Sequence, residues 1–237
     1  MLDGLMKRLF TRSAALPAKD WDGMQPWAEA KQYDFRGVQS EGFVIDGRLG
    51  TTPWRLEWGP SQRSYIAGRE LRLRSELGLG AELHALVMNR TLQEQMEAAV
   101  FNQYVEGVQT RIDDQTPPEM RWLVMFPKLA GSEMGELRER YVALASKKSW
   151  MLRWLEGPLS QALASHRVNA ALPFVLMIGR GRLMLRTEMP EAEVNEVERW
   201  LRLFETAIRE ARRVVNDSGE GLAPSAEPAQ APGPEPV

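Results

Sequence analysis

The chain has 237 residues, enough for one substantial core or two small ones. Hydrophobic residues make up 43% and charged residues 26%, ordinary globular usage, and the net charge of −2 removes any whole-chain case for a nucleic-acid partner. With no cysteine and only two histidines, His84 and His166, the composition excludes disulfides, thiolate metal sites, a cysteine nucleophile and any centre needing three imidazoles from one chain.

Residues 1–13 place Leu2, Leu5, Met6, Leu9 and Phe10 at helical spacing, with Lys7, Arg8 and Arg12 elsewhere on the wheel. The spacing predicts a short amphipathic helix, suited to a partner groove, a membrane surface or its own domain. The segment lacks the long apolar stretch of a signal peptide. No apolar run in the chain reaches the ~18 residues of a membrane-spanning helix, so the expected location is cytoplasmic. Residues 14–34, with Pro17, Gly23 and Pro26 around Trp21, Trp27 and Tyr33, read as a linker strapped over the fold by its aromatic side chains.

From 35 to 90 the pattern is that of strands. Phe35 opens one and Phe43-Val44-Ile45 another, with Asp46-Gly47 as a two-residue turn signal. Trp54, Leu56 and Trp58 alternate with Arg55 and Glu57, which gives one buried and one wet face. After the Gly59-Pro60-Ser61 break, Leu71 and Leu73 alternate with Arg72 and Arg74, and the run around His84 is apolar on both parities, as in a strand covered on both faces.

Thr91-Leu92-Gln93-Glu94 is a capping-box signature that starts a helix over 91–112, ended by Asp113-Asp114 and Pro117-Pro118. The apolar run Met120–Phe126, with Arg121 its one charged residue, predicts a buried strand within 119–126, and Leu137, Tyr141, Leu144, Trp150 and Trp154 predict helix in pieces over 133–165. Residues 173–187 form a hairpin turning at Gly179-Arg180-Gly181. Val194, Val197, Trp200, Leu201, Phe204, Ile208 and Ala211 then mark a helix within 191–215. Residues 216–237, with five prolines and no basic residue, predict a disordered acidic tail. Taking that tail's four carboxylates from the net charge of −2 leaves +2 for the rest.

The expected fold is therefore α+β: a mainly antiparallel sheet with strands within 35–90, 119–126 and 173–187, packed by helices 91–112, 133–165 and 191–215 in a single domain over 35–215. At the level of element order alone it resembles small bacterial adaptor and chaperone modules. No phosphate loop, dinucleotide fingerprint, nucleophile elbow or metalloprotease motif is present. His84 reads as structural, and His166, near a helix C-terminus, as a capping residue favoured as a cation. Without a catalytic constellation, the expected function is a non-enzymatic cytoplasmic protein-interaction module that needs no cofactor or metal and has a protein partner. The alternatives are a peripheral membrane protein held by residues 1–13, and an enzyme or ligand-binding protein for an acidic or phosphorylated small molecule. The candidate interaction residues are Trp54, Trp58, Arg63, Arg72 and Arg74 on the sheet and Leu5, Leu9 and Phe10 at the N-terminus.

Overall fold

The structure, a computed structural model, describes residues 21–105 and 117–218 apart from 22, 40, 167, 168 and 170, with backbone alone for 100–105 and 218. The predicted N-terminal helix with Leu5, Leu9 and Phe10, the Asp113-Asp114 pair and the tail from 219 lie outside the described residues.

The α+β expectation holds. Eight strands form one antiparallel sheet in the order β1-β2-β3-β4-β8-β7-β5-β6. The strands are β1 (Asp34–Val38), β2 (Gly42–Leu49), β3 (Thr52–Pro60), β4 (Arg69–Glu76), β5 (Ala85–Asn89), β6 (Tyr141–Ala145), β7 (Phe174–Gly179) and β8 (Arg182–Glu188). Seven helices accompany them among the described residues: α1 (Met24–Ala30), α2 (Arg90–Val105), α3 (Pro118–Met125), α4 (Gly131–Met134), α5 (Lys148–Leu155), α6 (Pro158–Ser165) and α7 (Val194–Ser218). No described helix is long and apolar enough to cross a membrane.

The two faces of the sheet differ. On the first, Phe43, Ile45, Trp54, Leu56, Trp58, Leu71, Leu73, Leu183, Leu185, Phe174, Leu176 and Ile178 join the buried residues of α1, α5, α6 and α7 in one cluster. The α7 stripe reaches it through Val197, Trp200, Leu201, Phe204, Ile208 and Ala211, all buried as their spacing predicts. Each such large side chain contributes roughly 1.5–3 kcal/mol on burial. On the second face, Leu86, Met88, Leu144, Val175 and Met177 are covered by Leu92 and Met96 of α2 and by Trp122 and Leu123 of α3. That cover stops at β8. Among the described residues, the second face over β1 to β4 presents mostly charged side chains.

Four sequence expectations are corrected. Residues 118–125 are helix, not strand: Pro118 occupies the first turn, where a missing N–H costs nothing, and Glu119, Trp122, Leu123 and Phe126 share one face while Val124 and Met125 are 62% and 64% exposed. The predicted helix over 133–165 is interrupted by β6, whose five residues are all buried. The predicted linker 14–34 contains α1, whose Met24 and Ala28 are fully buried. Asp46-Gly47 is mid-strand, with Asp46 opposite Arg55 and Gly47 opposite Trp54. The turn falls instead at Gly50, where φ is +59°. Gly47 is required for another reason: a Cβ there would lie 2.2 Å from the Trp54 ring, which crosses over it.

Candidate functional site

The exposed half of the second face is built by alternation. In β3 and β4 the residues opposite to Trp54, Leu56, Trp58, Leu71 and Leu73 are Arg55, Glu57, Glu70, Arg72 and Arg74, and register aligns them into rows. Asp46 receives Arg55 Nε at 2.6 Å and Arg36 Nη2 at 3.0 Å. Burial pushes the Asp46 carboxyl up, but the hydrogen bonds from Arg55 and Arg36 outweigh it and hold the group below the usual aspartate value. Glu57 bridges Arg72 Nε at 3.2 Å and Arg74 Nη2 at 3.1 Å.

Where this half meets the helix-covered half, the charges sink inward. Glu70 is 0% exposed and accepts from the Gln62 backbone N–H at 2.8 Å, from Arg72 Nη1 at 3.2 Å and from Arg186 Nη1. Glu119, also 0% exposed, reaches down from α3 to accept from Arg63 Nε at 2.8 Å and from the Tyr65 hydroxyl at 2.7 Å. Burial and the adjacent Glu119 carboxylate raise Tyr65 well above the ordinary phenol value. For Arg63, burial lowers the pKa, and the nearby Glu119 more than restores it. Two buried carboxylates thus pin the Gly59–Arg63 turn from below and from the side. Ser61 closes that turn, its hydroxyl accepting from Arg63 N at 3.0 Å and donating to Arg63 O at 2.8 Å. A neighbouring cleft of about 420 Å³ is lined by Val38, Glu41, Val44, Glu57, Gln62 and Arg72.

The structure thus brings Arg63 and Arg72 into one network and leaves Arg74 45% exposed in the adjoining row. Trp54 and Trp58 are not on this surface. They are 2% and 1% exposed in the first-face core, and Trp58 Nε1 donates to Met189 O at 2.8 Å. Sequence reasoning missed Glu119, Tyr65 and Arg186. Glu70 was visible only as one acid among arginines of the same parity.

The histidines lie apart from the network. His84 packs against Trp122 and Phe126 at 4.8 and 5.5 Å, and its Nδ1 is 2.9 Å from Glu82 O. Ser146 Oγ bonds the backbone N–H of His84 at 3.0 Å, not its ring, so the pair is no nucleophile–base couple. His166 lies 4.1 Å from Trp200, beside a cleft of about 480 Å³ that also holds Arg199, Arg202, Glu188 and Glu196. Burial, with help from Arg199 and Arg140, lowers His166 to about 4. It is therefore neutral at pH 7, which corrects the expectation of a cationic cap. The carbonyls at the end of α6 are capped by Arg140, which donates to His166 O at 3.1 Å, Leu163 O at 3.2 Å and Ala164 O.

No family model, curated protein or solved structure matches the chain. Among the described residues no group of three or more acidic or histidine side chains is placed to hold a metal ion.

A depressed histidine sets a pH signature. The folded value of about 4 lies below the unfolded value of ~6.5, so the unfolded chain binds the proton first. The stability linked to neutral His166 is present above about pH 6.5 and is lost as pH falls towards 4, at no more than ~1.4 kcal/mol per pH unit. His166→Gln should flatten the urea midpoint between those limits relative to wild type. Parallel curves for the two proteins would contradict this assignment.

Proposed function

We propose that the chain is a non-catalytic protein-interaction module whose contact surface is the uncovered half of the second sheet face, centred on the Gly59–Arg63 turn and the Arg55, Arg72 and Arg74 row. The observation that carries this reading is the contrast in cover. Among the described residues, helices lie over the first face and over the second face from β8 to β6, while β1 to β4 carry ordered, paired charges with no described helix above them. Arginines already fixed by carboxylates lose little further rotamer freedom on binding, which lowers the entropic cost of association. The cations are matched by Asp46, Glu57, Glu70 and Glu119, so the surface suits a mixed-charge protein partner better than a polyanion.

The test is affinity capture and cross-linking with the full chain, with an Arg55→Ser/Arg74→Ser variant and with a deletion of residues 1–13. Arg55 is partly exposed and Arg74 exposed, with side chains at 38% and 45%, so the fold should survive their loss with a change of about 1 kcal/mol per ion pair or less. The expected result is a defined partner retained by the deletion and weakened at least about tenfold by the double substitution. Retention by the double variant with loss on deletion would place the contact at the N-terminal segment and refute this reading.

A further inference from the structure

The two edges of the sheet are treated differently. The outer edge of β6 is occupied: Lys128 bridges to Leu144, and Leu129 N donates to Ala143 O at 2.8 Å. The outer edge of β1 carries no strand among the described residues. Among the described residues β1 pairs with β2 alone, four of its five residues are exposed, and a Cβ built on Gly37 would meet nothing within 4 Å. Val38 O accepts from Glu41 N in the turn to β2, at 3.0 Å. Antiparallel alternation therefore turns the peptide groups of Asp34, Arg36 and Val38 towards β2 and those of Phe35 and Gly37 outwards. Tyr33 N is engaged with Ala28 O, at 2.9 Å, which leaves only the Tyr33 carbonyl for an outer strand.

We propose that β1 is the self-association edge of this protein, pairing antiparallel with β1 of a second copy about a two-fold axis at Phe35. The sequence of the edge is self-complementary in that register. Phe35 meets Phe35 of the second copy as a hydrogen-bonded pair, its ring already stacked on Phe43 at 5.6 Å. On either side Asp34 stands directly opposite Arg36 of the other chain, on the charged face, where an opposite-charge cross-strand pair is favourable. Gly37 N–H then reaches the Tyr33 carbonyl of the second copy. A register shifted by one residue would set outward-facing peptide groups against inward-facing ones and forfeit the ladder. A heterologous strand lacks this reciprocal match, which is why the second copy is the occupant. The pairing does not depend on the arginine surface assigned above, and either can fail without the other.

So short an edge buries less than the ~1,000 Å² of a stable interface, so the dimer is weak and concentration-dependent. Sedimentation of the full chain from about 1 to 500 µM should show monomer passing to dimer. Asp34→Arg and Arg36→Asp should each weaken association about tenfold, because each sets like charges opposite one another twice per dimer. The double exchange D34R/R36D should restore it. Gly37→Pro, which removes an outward N–H, should abolish dimerisation. A chain monomeric throughout the range, or a dimer indifferent to both Gly37→Pro and the charge reversals, would overturn the proposal. Dimerisation that the double exchange fails to restore would overturn the register.

Discussion

Glu70→Leu should destabilise the protein by about 3–5 kcal/mol, a large share of the ~5–15 kcal/mol that holds a typical domain folded. The carboxylate is fully buried, and three donors from three places in the chain converge on it: Gln62 N, Arg72 and Arg186. Leucine fills the volume but leaves the Arg186 guanidinium, with only 6% of its side chain exposed, charged and without its carboxylate. The cost is chiefly that stranded charge and not the net worth of the ion pair, since removing both partners together can be nearly neutral. Glu70→Leu/Arg186→Leu should therefore recover more than half of the loss. Urea denaturation of the single and double variants reads both effects in one cycle. A Glu70→Leu midpoint indistinguishable from wild type would mean that Arg186 has found water or another partner.

The second large effect is expected at Trp58. Trp58→Ala should cost about 3–5 kcal/mol, as for other large-to-small changes in a packed core. Its ring stacks on Phe43 at 5.6 Å, meets Trp21 edge-on at 5.5 Å and carries the Arg69 guanidinium 4.5 Å from its centroid. Trp58→Phe keeps most of that area but leaves Met189 O without its donor, so the expected loss is smaller, about 1–3 kcal/mol. Thermal melts of the two variants separate packing from hydrogen bonding. They also bear on the sequence expectation that tryptophans here meet a partner. If Trp58→Ala abolished association at a temperature where it remained folded and as stable as wild type, the ring would be a contact residue after all.

Much of the fold was legible wherever a period is local. The alternation in β3 and β4, the β7–β8 hairpin and the α7 stripe each repeat a pattern along consecutive residues, and packing obeys it. Misreadings arose where two periods fit the same residues. Met120–Phe126 is an apolar run broken only by Arg121, yet the spacing of Glu119, Trp122, Leu123 and Phe126, preceded by two prolines, is helical. Tyr141 and Leu144 keep helical step with Leu137, while the five-residue apolar stretch Tyr141–Ala145 that contains them is strand. Gly47 followed an aspartate and looked like a turn, but its missing side chain makes room for the Trp54 ring. The candidate site was half legible. Strand parity put Arg72, Arg74 and Glu70 on one wet face. The partnership of Arg63 with Glu119, 56 residues away, depends on how α3 lies over the sheet, which no local pattern encodes.

The seam between β4 and β8 governs the order in which the protein can be assembled. β1 to β4 follow one another through short connections, but the strand that completes β4 lies far downstream, as the 116-residue separation between Glu70 and Arg186 shows. Long-range closure of this kind slows folding. On a ribosome adding ~5–20 residues per second, the meander would wait on the order of ten seconds with the β4 edge unpaired. Bare edges recruit neighbouring chains, and long charged side chains deter them. Arg72 and Arg74 share one face of that strand, so the same guanidiniums that later dress the sheet face guard a nascent edge until its partner is made.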